Sequence, residues 1–233
     1  MFECNLHGRY YMEKSKRRFA PHFVKRCFVL IAGLFVMAAG VAFSVHANLG
    51  TSPISSLPYT LSVLIEPLTI GTATICMHVV LVILQIIILR KNYDPFQLLQ
   101  IPAAIAFGYL TDFFNWVLTD LNPTLYWQQW ICCAIGICLV ATGVAIEVMA
   151  RVICLAGEGF DLAVCQVCPK LKFSTMKIIC DVSLVVIACI LGLVFTGQLQ
   201  GVREGTVAAA ICVGLLTKQI AKPLRLFERK FLM

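Results

Sequence analysis

Ionisable side chains inside apolar runs cost about 2.5–3.5 kcal/mol each to insert at a membrane midplane, so they are kept there for a reason. Asp112, Glu147, Lys177 and Asp181 fall within apolar runs of this chain, and Arg151 directly follows one. Glu147 and Arg151 are four residues apart, as are Lys177 and Asp181, so on a helix each pair shares a face. One chemistry open to them is mutual neutralisation near a cytoplasmic edge, with Arg151 and Lys177 reaching for the interface. The other is a charge relay, which Asp112 would join. Glu158 and Asp161 stand at the start of a short apolar segment. There a carboxylate caps a helix, binds a cation or takes up a proton. An earlier short segment offers Asn48, Thr51, Ser52 and Ser55 instead, hydrogen-bonding groups suited to a polar or anionic ligand at a helix N-terminus. These four with Glu158 and Asp161 are the candidate substrate-binding residues, and the five ionisable groups are the candidate relay. Arg203 and Glu204, just before the last apolar run, are either a gate pair or a cap and a solvated turn.

No HExxH, GxSxG or Gly-rich phosphate loop occurs, and no Ser/His/Asp or Cys/His arrangement stands out. The reading is therefore no enzyme, no cofactor and no metal. His46 and His78 lack partners at ligand spacing and read as hydrogen-bonded interior histidines. Of the twelve cysteines, Cys76, Cys132, Cys133, Cys138, Cys180, Cys189 and Cys212 fall within apolar runs, where Cys acts as a small hydrophobe. Cys165-Gln166-Val167-Cys168 is a CxxC without a second CxxC or a nearby His, and packing is the favoured reading.

The elements that must position these residues are membrane spans. The chain is 60% hydrophobic and 13% charged, against about 25% charged for a soluble domain, and its mean hydropathy is +0.87. The formal net charge of +7 flanks apolar runs rather than interleaving with aromatics, which points to a membrane surface and away from nucleic acid. Apolar runs predict spans near 28–47, 69–89, 98–118, 130–150, 174–196 and 205–221. Two shorter segments, 53–65 and 158–168, cannot cross a core roughly 30 Å thick. In the first, Ser52 is a good helix N-cap and Pro53 a good first residue. A helix N-terminus at membrane depth needs protein or a water-filled cavity around it.

The runs repeat. At a spacing of 103, Gly33, Gly40, Val41, Ala42 and Ala47 recur as Gly136, Gly143, Val144, Ala145 and Ala150, and both short segments fall in register. Leu68, Thr72, Leu81 and Val82 recur as Leu171, Thr175, Leu184 and Val185. In the last span the spacing is 106, with Gly108, Leu110 and Thr111 recurring as Gly214, Leu216 and Thr217. If the short segments re-enter, 18 Lys/Arg fall inside and Arg203 alone outside; if they cross, the split is 15 to 4. The positive-inside rule favours the first arrangement. The expectation is an all-α polytopic membrane protein of about six transmembrane helices plus two re-entrant half-helices, in two inverted repeats of three spans. Its parts are a basic cytoplasmic segment 1–26, a first membrane repeat 27–118, an external loop 119–129, a second repeat 130–221 and a basic cytoplasmic tail 222–233. Both termini would be cytoplasmic. The partners expected are the bilayer, with anionic inner-leaflet lipids at the two basic ends, and a small-molecule substrate that the sequence does not name.

Three stretches of the first half carry a resemblance: Ala47-Asn48-Leu49-Gly50-Thr51-Ser52-Pro53-Ile54-Ser55-Ser56-Leu57-Pro58-Tyr59, Gln97-Leu98-Leu99-Gln100-Ile101-Pro102 and Phe107-Gly108-Tyr109-Leu110-Thr111-Asp112. In the second half they are Gly157-Glu158-Gly159, Lys177 with Asp181-Val182-Ser183-Leu184-Val185, and Gly201-Val202-Arg203-Glu204-Gly205-Thr206. Over about residues 25 to 220 the chain resembles the YczE/YitT-like family of bacterial integral membrane proteins. The resemblance implies a bacterial plasma-membrane location and no particular reaction. The chain departs from more distant members at Ser55, where they carry Asp, and at Glu158-Gly159, where they carry Gly-Pro. Inverted repeats with interrupted helices are an architecture of secondary transporters. The function expected is thus secondary transport of a small polar or amphipathic metabolite, with a proton as the candidate coupling ion. The alternative is a non-catalytic accessory or regulatory protein acting through a membrane partner.

Overall fold

The protein is described by a computed structural model covering residues 23–168 and 170–231, with side chains as far as residue 224. Most of the basic N-terminal segment and the end of the tail lie outside the described residues, so their expected contact with lipid is not addressed. Within them are eight helices: α1 (Phe23–His46), α2 (Pro53–Leu64), α3 (Ile70–Leu89), α4 (Gln100–Val117), α5 (Tyr126–Ala150), α6 (Ala156–Val167), α7 (Phe173–Thr196) and α8 (Glu204–Phe231). Two 3-10 turns, Arg90–Asn92 and Pro95–Leu99, join α3 to α4.

Helices α1, α3, α5, α7 and α8 are long and apolar enough to cross a membrane. The sixth expected span, α4, has 18 residues, and Gln100, Asp112 and Asn115 dilute its apolar character. It nevertheless runs antiparallel to α3 along most of its length. Gln85 of α3 bonds Gln100 at the start of α4, and Gly71 at the start of α3 bonds Asp112 near the end of α4. Helices α2 and α6 have 12 residues each, about 18 Å, too short to cross. Exposed Phe28, Ile83, Val194 and Phe195 form the face that a bilayer would cover. This is the profile of a multi-pass membrane protein.

The helix ends follow local chemistry. Pro53 opens α2, where its missing N–H costs nothing. Ser52 is the residue before it, as expected, but its hydroxyl bonds the Ser55 hydroxyl (2.9 Å) and not a backbone N–H. The chain leaves α1 through Asn48 and α5 through Arg151, both left-handed (φ 56° and 51°). These two turns are 103 residues apart, as are the starts of α1 and α5, of α2 and α6, and of α3 and α7.

The centre of the molecule is an antiparallel pair, α1 against α5. Gly33 lies against Gly143 and Gly40 against Gly136. A Cβ on Gly40 would come within 2.6 Å of the Val140 nitrogen and 2.8 Å of the Gly136 oxygen, so only glycine permits this approach. Between helices in lipid, close packing of this kind takes the place of water expulsion as the driving force. Helix α4 packs beside α1, and α8 beside α5. The short helices are exchanged between halves: α2 packs mainly on α7, and α6 mainly on α3. Their N-terminal turns meet, with Ile54 against Gly157.

One pair of helices breaks this correspondence. Helices α3 and α4 are closed along a seam where Ile75 sits on Gly108 and Gly71 faces Asp112. No such seam joins α7 and α8. Ile178 is 62% exposed, and nothing lies within 4 Å of the position a Gly214 side chain would take.

Candidate functional site

The α6 N-terminus is where buried polar groups gather. Its first turns leave backbone N–H groups without helical acceptors. Glu147, near the end of α5 and fully buried, accepts the Leu155 N–H at 2.7 Å and so caps the helix from outside it. Gln85, buried on α3, holds the same turn from the other side. Its Nε2 donates to the Ala156 oxygen (3.0 Å) and to Gln100 Oε1 (3.1 Å). Gly159 makes room for these amides, since a Cβ there would lie 2.7 Å from Gln100 Nε2 and 3.0 Å from Gln85 Oε1.

Further along α6, Asp161 is 0% exposed, and no N–H or O–H group donates to either carboxylate oxygen; the donor beside it is the Cys180 thiol. A buried carboxylate with only a weak thiol donor is among the most unfavourable placements for a polar group. The groups that act on it are Glu158 of its own helix and Lys177, Cys180 and Asp181 of α7. Lys177 Nζ donates to Asp181 Oδ1 at 2.9 Å, a partly exposed pair one helical turn long. The charge of Lys177 also acts on Glu147, Glu158 and Asp161. Four carboxylates thus share one ammonium group. Met77, Leu81, Met176, Cys180 and Leu184 form an apolar cluster at the same place, against Phe160.

The residues singled out from sequence divide accordingly. Glu147, Glu158, Asp161, Lys177 and Asp181 come together. Arg151 lies exposed at the end of α5, while Glu147 turns to the Leu155 N–H. Asp112 is at the other end of α3, where its carboxylate accepts the Gly71 N–H (2.7 Å) and the Thr69 hydroxyl (2.7 Å). At the first half-helix the hydroxyls have partners within the protein. Thr51 bonds Gly201 through its backbone N–H (2.9 Å), and Ser52 bonds Ser55. Ser56 donates to the Pro53 oxygen (2.7 Å), and Thr60 to the Gln200 oxygen (3.0 Å). Arg203 Nη1 donates to the Asn48 oxygen at 2.8 Å, and Glu204 stands 3.9 Å from Arg203 Nε. Arg203 thus fastens the loop before α8 to the turn after α1. His78 is buried, as expected of an interior histidine, and stacks on Phe107 at 6.0 Å; its Nδ1 has no hydrogen-bond partner.

Gln85, Gln100 and Cys180 were not singled out from sequence. Gln85 had a signal: a lone amide within Val82-Ile83-Leu84-Gln85-Ile86-Ile87. Gln100 stood in a quoted motif but at a span boundary, where an amide is ordinary. Cys180 is indistinguishable from a packing cysteine until its neighbour Asp161 is placed.

No solved structure matches the chain. Over 122 residues it is 32% identical to the uncharacterized protein YyaS of Bacillus subtilis (strain 168), covering 51% of this chain and 58% of that one. The match therefore spans somewhat more than half the length of that relative. A family of unknown function, DUF6198, matches residues 24–222, which takes in both short helices and all of the buried acidic groups. The chain belongs to DUF6198.

Proposed function

We propose that this is a secondary transporter built of two inverted repeats, with α4 as the sixth span and the likeness to YczE/YitT-like proteins part of the same reading. The substrate is a small polar or amphipathic metabolite. The observation that carries the reading is the unequal state of two equivalent seams. Ile75 and Gly108 recur as Ile178 and Gly214, the same knob and the same hole, engaged in one half and apart in the other. Two equivalent interfaces in different states are what alternating access requires: one side closed, the other open. A second conformation then has α7 on α8 and α3 away from α4.

The pairing of glycines supports the inversion. A two-fold axis brings residue i against j and j against i. Gly33 against Gly143 and Gly40 against Gly136 have that form, because Gly33 corresponds to Gly136 and Gly40 to Gly143.

Paired cysteines test this in a chain whose native cysteines have been replaced. Ile75→Cys with Gly108→Cys should cross-link in the conformation described here, and Ile178→Cys with Gly214→Cys in the alternate one. Locking either pair should reduce cross-linking of the other. Failure of the second pair to cross-link under any condition counts against alternating access and favours an accessory protein of fixed shape.

A further inference from the structure

Resting on the transporter reading, we infer that Asp161 is the point where a small organic cation and a proton compete, so that the protein exchanges a protonated amine or quaternary ammonium against protons.

The charge balance leads there. Among the described residues, Glu147, Glu158, Asp161 and Asp181 all feel the charge of Lys177; Glu147 and Asp161 are fully buried, and the Lys177–Asp181 pair is partly exposed. Two of the carboxylates are committed. Glu147 accepts the Leu155 N–H, and Asp181 is bonded to Lys177. Asp161 is fully buried and, among the described residues, meets no N–H or O–H donor and no cation at bonding distance, only the weak Cys180 thiol. A buried carboxylate in that position is neutralised by a proton or by a positive ligand. An anionic ligand would add to an excess already uncompensated.

The surroundings set the class of cation. A hard metal ion asks for six or more oxygens at close range. Among the described residues, no three acidic, histidine or cysteine side chains are disposed around one point. What lies beside the carboxylates is apolar and partly thioether: Met77, Leu81, Met176 and Leu184. Such a wall suits the hydrocarbon body of an organic cation, with sulfur atoms as soft, adaptable contacts.

Every group facing Asp161 fits the exchange. Glu158 stands on its own helix, and α7 presents Lys177, Cys180 and Asp181. Helices α3 and α4 present the neutral amides of Gln85 and Gln100 to α6, and α2 presents Ile54. In the exchange the Asp161 O–H bond breaks, its proton leaves to solvent and one positive ligand takes its place. The charge of the site is the same before and after, so the two occupants exclude each other.

Benzyltrimethylammonium is a suitable probe, because it carries a fixed charge and no proton of its own. Calorimetric titration of the detergent-purified full chain, in two buffers of different ionisation heat, counts the protons released. About one proton per bound probe is expected at low pH, with affinity falling about tenfold per pH unit as the carboxylate becomes protonated. Asp161→Asn should lose both the pH dependence and the proton release, whereas Asp161→Glu should retain them. Unfolding temperature and gel filtration establish that each variant is folded, and proton release by the wild-type chain stands without either variant. Binding without proton release, an unchanged Asp161→Asn variant, or no binding up to millimolar probe would each overturn the inference. The seam cross-links are read separately. Alternating seams with a silent probe reject the cation site and leave the transporter, while fixed seams with proton-linked binding do the reverse.

Discussion

Glu147 accepts the Leu155 N–H inside the protein, and this makes its substitutions unequal. A glutamine keeps an oxygen where the carboxylate oxygen was. An alanine leaves a buried N–H unsatisfied, at a cost of about 1–3 kcal/mol. Glu147→Ala should therefore unfold at a clearly lower temperature in detergent than Glu147→Gln, which should stay near the wild type. Equal losses in the two variants would mean that the charge of Glu147, and not its acceptor, holds α6. On the sequence alone Glu147 paired naturally with Arg151, since four residues is one helical turn. The pattern could not show that α5 ends at Arg151 and that the chain folds back to bring Leu155 within reach. Lys177 and Asp181 lie together within α7, so their spacing was enough to identify the pair.

The two seams differ at three further pairs of positions: Asp112 recurs as Lys218, Thr69 as Lys172 and Gly71 as Ser174. Asp112 ties α4 to the start of α3 through Gly71 and Thr69, placing a carboxylate at a helix N-terminus. At the repeat spacing of 106 the corresponding residue is Lys218, whose charge has the wrong sign for the N-terminus of α7. The open seam thus has Ile178 and Gly214 but lacks the clasp, and it carries Ser174 where the closed seam has Gly71, a position at which a Cβ would meet the Gly108 oxygen. Lys218→Asp should close it, seen as increased cross-linking between cysteines at positions 178 and 214; no increase would separate the clasp from the state of the seam. The short helices show how much was legible at this scale. Their number, place and register followed from the polar break at Asn48–Pro53 and its echo 103 residues later. Their exchange, α2 onto α7 and α6 onto α3, did not, because apolar faces of similar composition carry no label for their partner. The partners of Thr51, Ser52 and Ser55 were hidden for a related reason. Hydroxyls at a helix start look available in a sequence, and here backbone and neighbouring hydroxyls occupy them.

For the whole molecule, the basic residues fix a testable orientation. Arg90, Lys91 and Arg151 fall at one end of the spans, while exposed Trp116, Tyr126 and Trp127 gather about the α4–α5 loop at the other. Aromatic side chains of this kind sit at the membrane–water interface, and Lys and Arg favour the cytoplasmic side. With six spans, Arg90→Cys should react with an impermeant thiol reagent only from the cytoplasm, and Asn122→Cys only from outside. Labelling of both from the same side would remove α4 as a span and with it the inversion. Ile54 against Gly157 has a consequence of its own. On the repeat reading these are equivalent positions, and equivalent positions touch only on the two-fold axis. In a dimer of identical chains, whatever stands on that axis meets its own copy, isoleucine against isoleucine or glycine against glycine. A large residue fitted into the space left by a small one is possible there only once both halves are encoded in a single gene. On that reading the contact is a mark of fused ancestry, one that would arise after duplication, once the two copies were free to diverge.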